Sequence, residues 1–90
     1  MSYANFFEML EREPKLKHLW DKENKTLLEN DFAAALGVMS SGEVYLAQFF
    51  ASVWFGNNQR YGFDFVSAIG KLDSDKRLII AEWLKNPFWP

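Results

Sequence analysis

Large apolar residues recur along this chain at helical spacing, and period-two alternation never lasts long enough to predict a strand. Tyr3, Phe6, Phe7 and Leu10 fall at i, i+3, i+4 and i+7, one stripe of a first helix with Ser2 as its N-cap. Pro14 breaks that stripe and suits the first position of a short second helix carrying Leu16, Leu19 and Trp20. The stretch "TLLE" reads as a capping box, Thr26 with Glu29, and Leu28, Phe32, Ala35 and Leu36 extend the helix it opens as far as Gly37. "SSGE" repeats the device: Ser40 caps the next helix, Glu43 reaches back to its backbone, and the helix runs to about Phe55 with Gly56 as its stop. "NNQRYG" is the most turn-like stretch, after which Tyr61, Phe65, Ala68, Ile69 and Leu72 predict a helix beginning near Asn58 or Asp64. Asp73 or Ser74 caps a last helix that has Lys85 in its final turn and ends before Pro87. The expectation is an all-α fold without a β-sheet: a compact single-domain bundle of four to five short helices spanning residues 1–90, with residues 44–55 as its central apolar helix.

That central segment raises the question of a membrane. From Val44 to Phe55 the apolar run covers twelve positions. As a helix it is about 18 Å long, against roughly 30 Å of bilayer hydrocarbon. A run of this length predicts a core helix, with Phe50 and Trp54 mostly buried. Any face that the small neighbouring helices leave uncovered becomes an apolar patch, and such patches mark association.

Composition sharpens the picture in three ways. Hydrophobic residues make up 49% of the chain and aromatics 18%, enough for a dense core in a short chain. There is no cysteine, so disulfides and thiolate metal sites are excluded. With no basic-then-apolar leader opening "MSYANFFEML", a cytoplasmic location is expected. Ten basic against twelve acidic side chains give a net charge of −2, without the basic footprint of a nucleic-acid binder.

Candidate chemistry is sparse. "FAAALGVMSSGEVYLAQFF" has the order of a helix-turn-helix. Its turn is one residue too long, however, and its second helix offers Glu43, Gln48, Ser52 and aromatics where base edges and phosphates demand polar and basic groups. His18 is the only histidine, so no persuasive zinc site is expected. Asp73 and Asp75 lack the glycine and closing glutamate of a calcium loop. Glu82 reads as a solvated helix position, and the serines and glycines form neither a nucleophile elbow nor a phosphate cradle. No enzyme, cofactor or metal is expected, and no small-molecule substrate is evident.

Two features point to binding. "NNQRYGF" puts Arg60 and Tyr61, residue types common at interface centres, beside a turn. "NPFWP" is apolar and stiffened by proline, so Phe88 and Trp89 either fold back onto the domain, the favoured arrangement, or dock on another chain. The functional expectation is a non-catalytic accessory or regulatory protein acting through protein–protein contacts, as a homodimer or with another protein. Its partner surface would use Tyr61, Phe88 and Trp89 with Arg60 at the rim. The contrasting class is a DNA-associated regulator with a degenerate helix-turn-helix-like unit. On charge and on the chemistry of its candidate recognition helix, the chain should give no salt-sensitive, sequence-selective shift of a duplex at submicromolar protein in an electrophoretic assay.

Overall fold

A computed structural model describes residues 3–90. Six helices and one two-stranded ladder follow in chain order: α1 (Tyr3–Leu10), α2 (Pro14–Lys17), β1 (Trp20–Asp21), β2 (Thr26–Leu27), α3 (Glu29–Leu36), α4 (Ser41–Phe55), α5 (Phe65–Lys71) and α6 (Ser74–Lys85). The Cα radius of gyration is 12.1 Å, the value expected of a packed chain of this length, so no described segment projects away from the rest.

The centre is α4, and its capping box forms as the sequence predicts. Ser40 Oγ accepts from the Glu43 backbone N–H at 3.4 Å, while Glu43 Oε1 accepts from the Ser40 N–H at 3.1 Å. Gly56 ends the helix at φ +74°, a left-handed conformation that side chains resist. No residue between Gly42 and Phe55 is exposed. Ser52, a polar residue in this run, donates to the Gln48 carbonyl one turn back at 2.8 Å.

Phe50, fully buried on α4, meets Phe6 of α1 at 6.0 Å between ring centroids and Trp20 of β1 at 6.3 Å, both edge-on. Phe6 also packs on Trp54 at 4.9 Å and Trp20 on Phe32 of α3 at 5.8 Å. Edge-to-face geometry at these separations sets the positive rim of one ring against the negative face of the next. Trp54 is half-buried rather than enclosed, at a seam bounded by Tyr3, Phe6, Phe7 and Trp20.

The region between α2 and α3 departs from the sequence expectation. Helix α2 stops at Lys17, Trp20 lies on a strand, and β1 pairs antiparallel with β2, Trp20 opposite Leu27 and Asp21 opposite Thr26. The expectation of no β-sheet is corrected to this one short ladder. Its cause is turn chemistry: Asp21 Oδ1 accepts the Asn24 N–H at 3.1 Å and Oδ2 accepts the Asn24 side-chain amide at 2.7 Å. Lys25 completes the reversal at φ +51°. The Leu28 N–H then bonds the Leu19 carbonyl at 2.9 Å, extending the ladder and putting Trp20 and Leu27 into the core.

The Thr26–Glu29 capping box is therefore absent. Thr26 Oγ1 donates to the Asn24 carbonyl at 3.0 Å, and α3 begins at Glu29 after Leu28 with no side-chain cap. Elsewhere the expected boundaries hold. Pro14 opens α2, Asp64 precedes α5, Asp73 caps α6 through the Lys76 N–H at 3.1 Å, and α6 ends at Lys85 before Pro87. The proposed Ser2 cap lies outside the described residues.

Truncating Phe50 to alanine should cost about 3–5 kcal/mol in chemical denaturation. Trp54→Ala should cost less, because part of that ring already faces water. Equal losses in the two variants would contradict this packing.

Candidate interaction surface

The C-terminal half of α4 supplies the floor of an apolar groove. Phe49 is 4% exposed and packs against Phe63 at 5.6 Å and Trp83 of α6 at 5.5 Å. Val53 and Ile80, both buried, complete the floor, and the recess has a volume of about 200 Å³. Three large side chains stand half out of the protein at its rim: Phe65 at 47% exposure, Leu84 at 54% and Trp89 at 52%. They come from the first turn of α5, the last turn of α6 and the segment after it.

Trp89 is held there by its own chain. The Trp83 indole Nε1 donates to the Phe88 carbonyl at 3.0 Å, and the Trp89 ring meets Trp83 edge-on at 5.4 Å. The segment after Pro87 thus folds back over α6, leaving Phe88 partly buried. Phe88 lines a different recess, between α1 and α6, with Met9 and Ile79.

Arg60 and Tyr61 are also placed apart from the groove. Arg60 Nε donates to Glu29 Oε1 at 2.7 Å, and the Tyr61 hydroxyl donates to the same oxygen at 3.1 Å. The Tyr61 ring packs on Phe32 at 4.6 Å, and the Arg60 guanidinium lies over Phe55 at 5.0 Å. Together they fasten the loop after α4 to the start of α3. Of the four residues expected at a partner surface, only Trp89 borders the groove. Phe65 and Leu84 were not anticipated. The signal for Leu84 was its place on one line of α6 with the exposed Arg77 and Ala81, an apolar residue on an outer face.

A second recess lies at the opposite end of α4, lined by both charged and leucine side chains, with a volume of about 340 Å³. Glu13 reaches into it with its side chain only 5% exposed and accepts from Lys76 of α6. Glu43 stands at its edge, its carboxyl held below the usual range first by the Ser40 hydroxyl, then by the Ser40 N–H. The serine–carboxylate pairs Ser40 with Glu43 and Ser67 with Asp64 are contacts three residues apart at helix starts. Glu82 pairs with Arg12 on the surface. Among the described residues no group of three His, Asp or Glu side chains is arranged to hold a metal, and no helix is long and apolar enough to cross a membrane.

Comparison with protein-family models, with curated proteins and with solved structures gives no match to this chain.

The Arg60–Glu29 contact has a measurable consequence. The Arg60 hydrogen bond, aided by Tyr61, holds the Glu29 carboxyl below its ordinary value. A carboxyl lowered in the folded state stabilises the fold above its unfolded pKa, and this contribution is lost as pH falls through the folded value. Stability should therefore hold from neutrality to about pH 5 and decline as pH is lowered past the ordinary glutamate value of about 4.3. An NMR titration of the Glu29 side chain should give a midpoint below that of free glutamate, moving up toward it in Arg60→Met. An unchanged midpoint in that variant would rule the contact out in solution.

Proposed function

We propose that this chain is a non-catalytic accessory or regulatory protein that acts through protein–protein contact, pairing two copies through the groove at the C-terminal end of α4. One observation carries the reading: Phe65, Leu84 and Trp89, each about half exposed, surround a single apolar recess. The sequence-level proposal of a partner surface is thereby moved from Arg60, Tyr61 and Phe88 to the residues beside Trp89.

A second copy is the occupant because the patch carries a knob and a hole side by side. The half-exposed Trp89 ring borders a recess of about 200 Å³, so a two-fold arrangement sets each Trp89 against the other copy's recess. Phe65, Leu84 and Trp89 together offer apolar surface on the order of 300 Å². A standard interface buries about 800 Å² per partner. The pairing is accordingly weak and concentration-dependent. A cysteine-free chain suits a reducing compartment such as the cytoplasm.

The DNA-associated reading has less support. The helix that would enter the major groove is α4, and none of its residues from Gly42 to Phe55 is exposed.

Sedimentation velocity from tens to hundreds of micromolar tests the pairing. The parent chain should gain mass toward two copies as concentration rises. Leu84→Ser combined with Trp89→Ser should stay at one copy with unchanged helical circular dichroism. A parent that remains monomeric throughout, or a double variant that pairs as the parent does, would defeat the proposal.

A further inference from the structure

The recess at the N-terminal end of α4 carries an inference independent of the groove. Its floor is apolar, made by Leu16, Leu46 and Leu72, each at most 4% exposed. Into this floor the chain sets a carboxylate. Glu13 occupies the residue before Pro14 and caps the start of α2 without any side-chain bond to that helix. Oε2 accepts from Lys76 Nζ, and Oε1 has no donor among the described residues. Oε1 is nevertheless not sealed off. The one enclosed side-chain polar atom without a partner among the described residues is Trp20 Nε1. Glu13 is 95% removed from bulk water by the exposure of its side chain, and it lines the recess. We infer that the surface left to Oε1 opens onto the recess that Glu13 lines.

A carboxylate in leucine surroundings is costly unless its lone pairs meet donors. Lys76, itself 31% exposed and arriving on a flexible stem from another element, satisfies one oxygen only. The recess presents the other to whatever enters. The open oxygen selects the sign of that ligand, because a carboxylate oxygen accepts and does not donate. The charges around it balance: Glu13, Glu43 and Asp73 line the recess against Lys71 and Lys76, and Lys15 pairs with Glu43 at 3.6 Å. The starts of α4 and α6, which would otherwise draw an anion, already hold their own carboxylates in Glu43 and Asp73. The volume, about 340 Å³, lies at the lower end of the range of small-ligand pockets.

We propose that this recess binds a primary ammonium group carried on a short aliphatic body. The ammonium donates to Glu13 Oε1 beside the Lys76 contact, and the aliphatic part lies on the leucine floor. A free alkylamine and a lysine side chain of a protein share this chemistry.

Titration of the ¹⁵N-labelled chain with n-butylammonium chloride, followed by amide shifts, tests it. The expected result is a saturable shift confined to residues 13–16, 42–46 and 71–76, with half-saturation in the millimolar range, and none from sodium butyrate or sodium chloride at equal concentration. Glu13→Gln, with its fold checked in the same spectra, should weaken binding about tenfold or more. Lys76→Met, which removes the neighbouring positive charge, should strengthen it. Shifts that grow linearly without saturating, an equal response to butyrate, or an unchanged midpoint in Glu13→Gln would each overturn the site. Should Glu13→Gln fail to fold, weaker or unchanged binding in Lys76→Met would do so, and the butylammonium–butyrate contrast in the parent chain stands without either variant. Titration with lysine blocked at both backbone ends separates the two sources. Tighter binding than butylammonium assigns the site to a protein lysine, and weaker binding assigns it to a free amine.

Discussion

The enclosure of Phe50 is the constraint on which the rest of the molecule depends. A helix with no exposed residue over fourteen positions cannot stand at the edge of a protein. It needs a neighbour on every side, and a chain of ninety residues has few long helices to spend. Here α1 covers one side through Phe6 and α6 another through Trp83, which closes on Phe49. The short hairpin covers a further side by carrying the Trp20 ring onto Phe50. The solution has one visible cost. The Trp20 indole N–H is enclosed without a partner among the described residues, a loss of about 1–3 kcal/mol that the aromatic packing around it must exceed.

What could be read from the sequence and what could not divide along a physical line. The extent and role of α4 were legible because both its ends are written in local chemistry, the Ser40–Glu43 box and Gly56, and because its burial follows from composition. The hairpin was not. Leu16, Leu19 and Trp20 satisfy the i, i+3, i+4 template as well as any helix, and each strand has only two residues, too few for alternation to register. The decisive interactions are Asp21 with Asn24 and the left-handed Lys25, which override a helical pattern that α2 abandons after one turn. Thr26–Glu29 shows how a capping motif misleads. The spacing is right, but the ladder had already committed Thr26 to an extended backbone, and tertiary contacts with Arg60 and Tyr61 took Glu29.

The same division applies to the surface. Trp89 was visible as an aromatic with little local structure to hide it. Its companions Phe65 and Leu84 lie in separate helices, and only the crossing of α4, α5 and α6 brings them to one rim. The pairing of Arg60 was hidden for a related reason. An arginine in a turn looks available until a carboxylate from thirty-one residues earlier meets it. Glu13 was the least legible of all, since nothing about an acid before a proline announces that Leu46 and Leu72, from distant positions, will close around it with Leu16.

The groove and the charged recess share two walls. The first turns of α4 with its cap, from Ser40 to Leu46, border the recess, and its last turns with their stop, from Phe49 to Gly56, border the groove; on α6, Lys76 belongs to one and Ile80 to Leu84 to the other. Along α4 the middles of these two sets, near Glu43 and Val53, are about 15 Å apart at the helical rise. Substitutions separated by more than about 7–10 Å with no common partner act additively. Serine at Leu84 and Trp89 therefore leaves the Glu13 environment intact, and removal of the Glu13 carboxylate leaves the aromatic rim intact. Dependence of one site on the other would require α4 and α6 to slide along their packed seam, where Phe49 lies edge-on to Trp83. At the recess end the slide is opposed as well: a Cβ built on Gly42 would come within 3.3 Å of the Lys71 carbonyl, so α4 and α5 meet there with almost no free space. The two ends are thus mechanically joined but chemically separate, and occupancy of one recess changes the other only if it is strong enough to shift that contact.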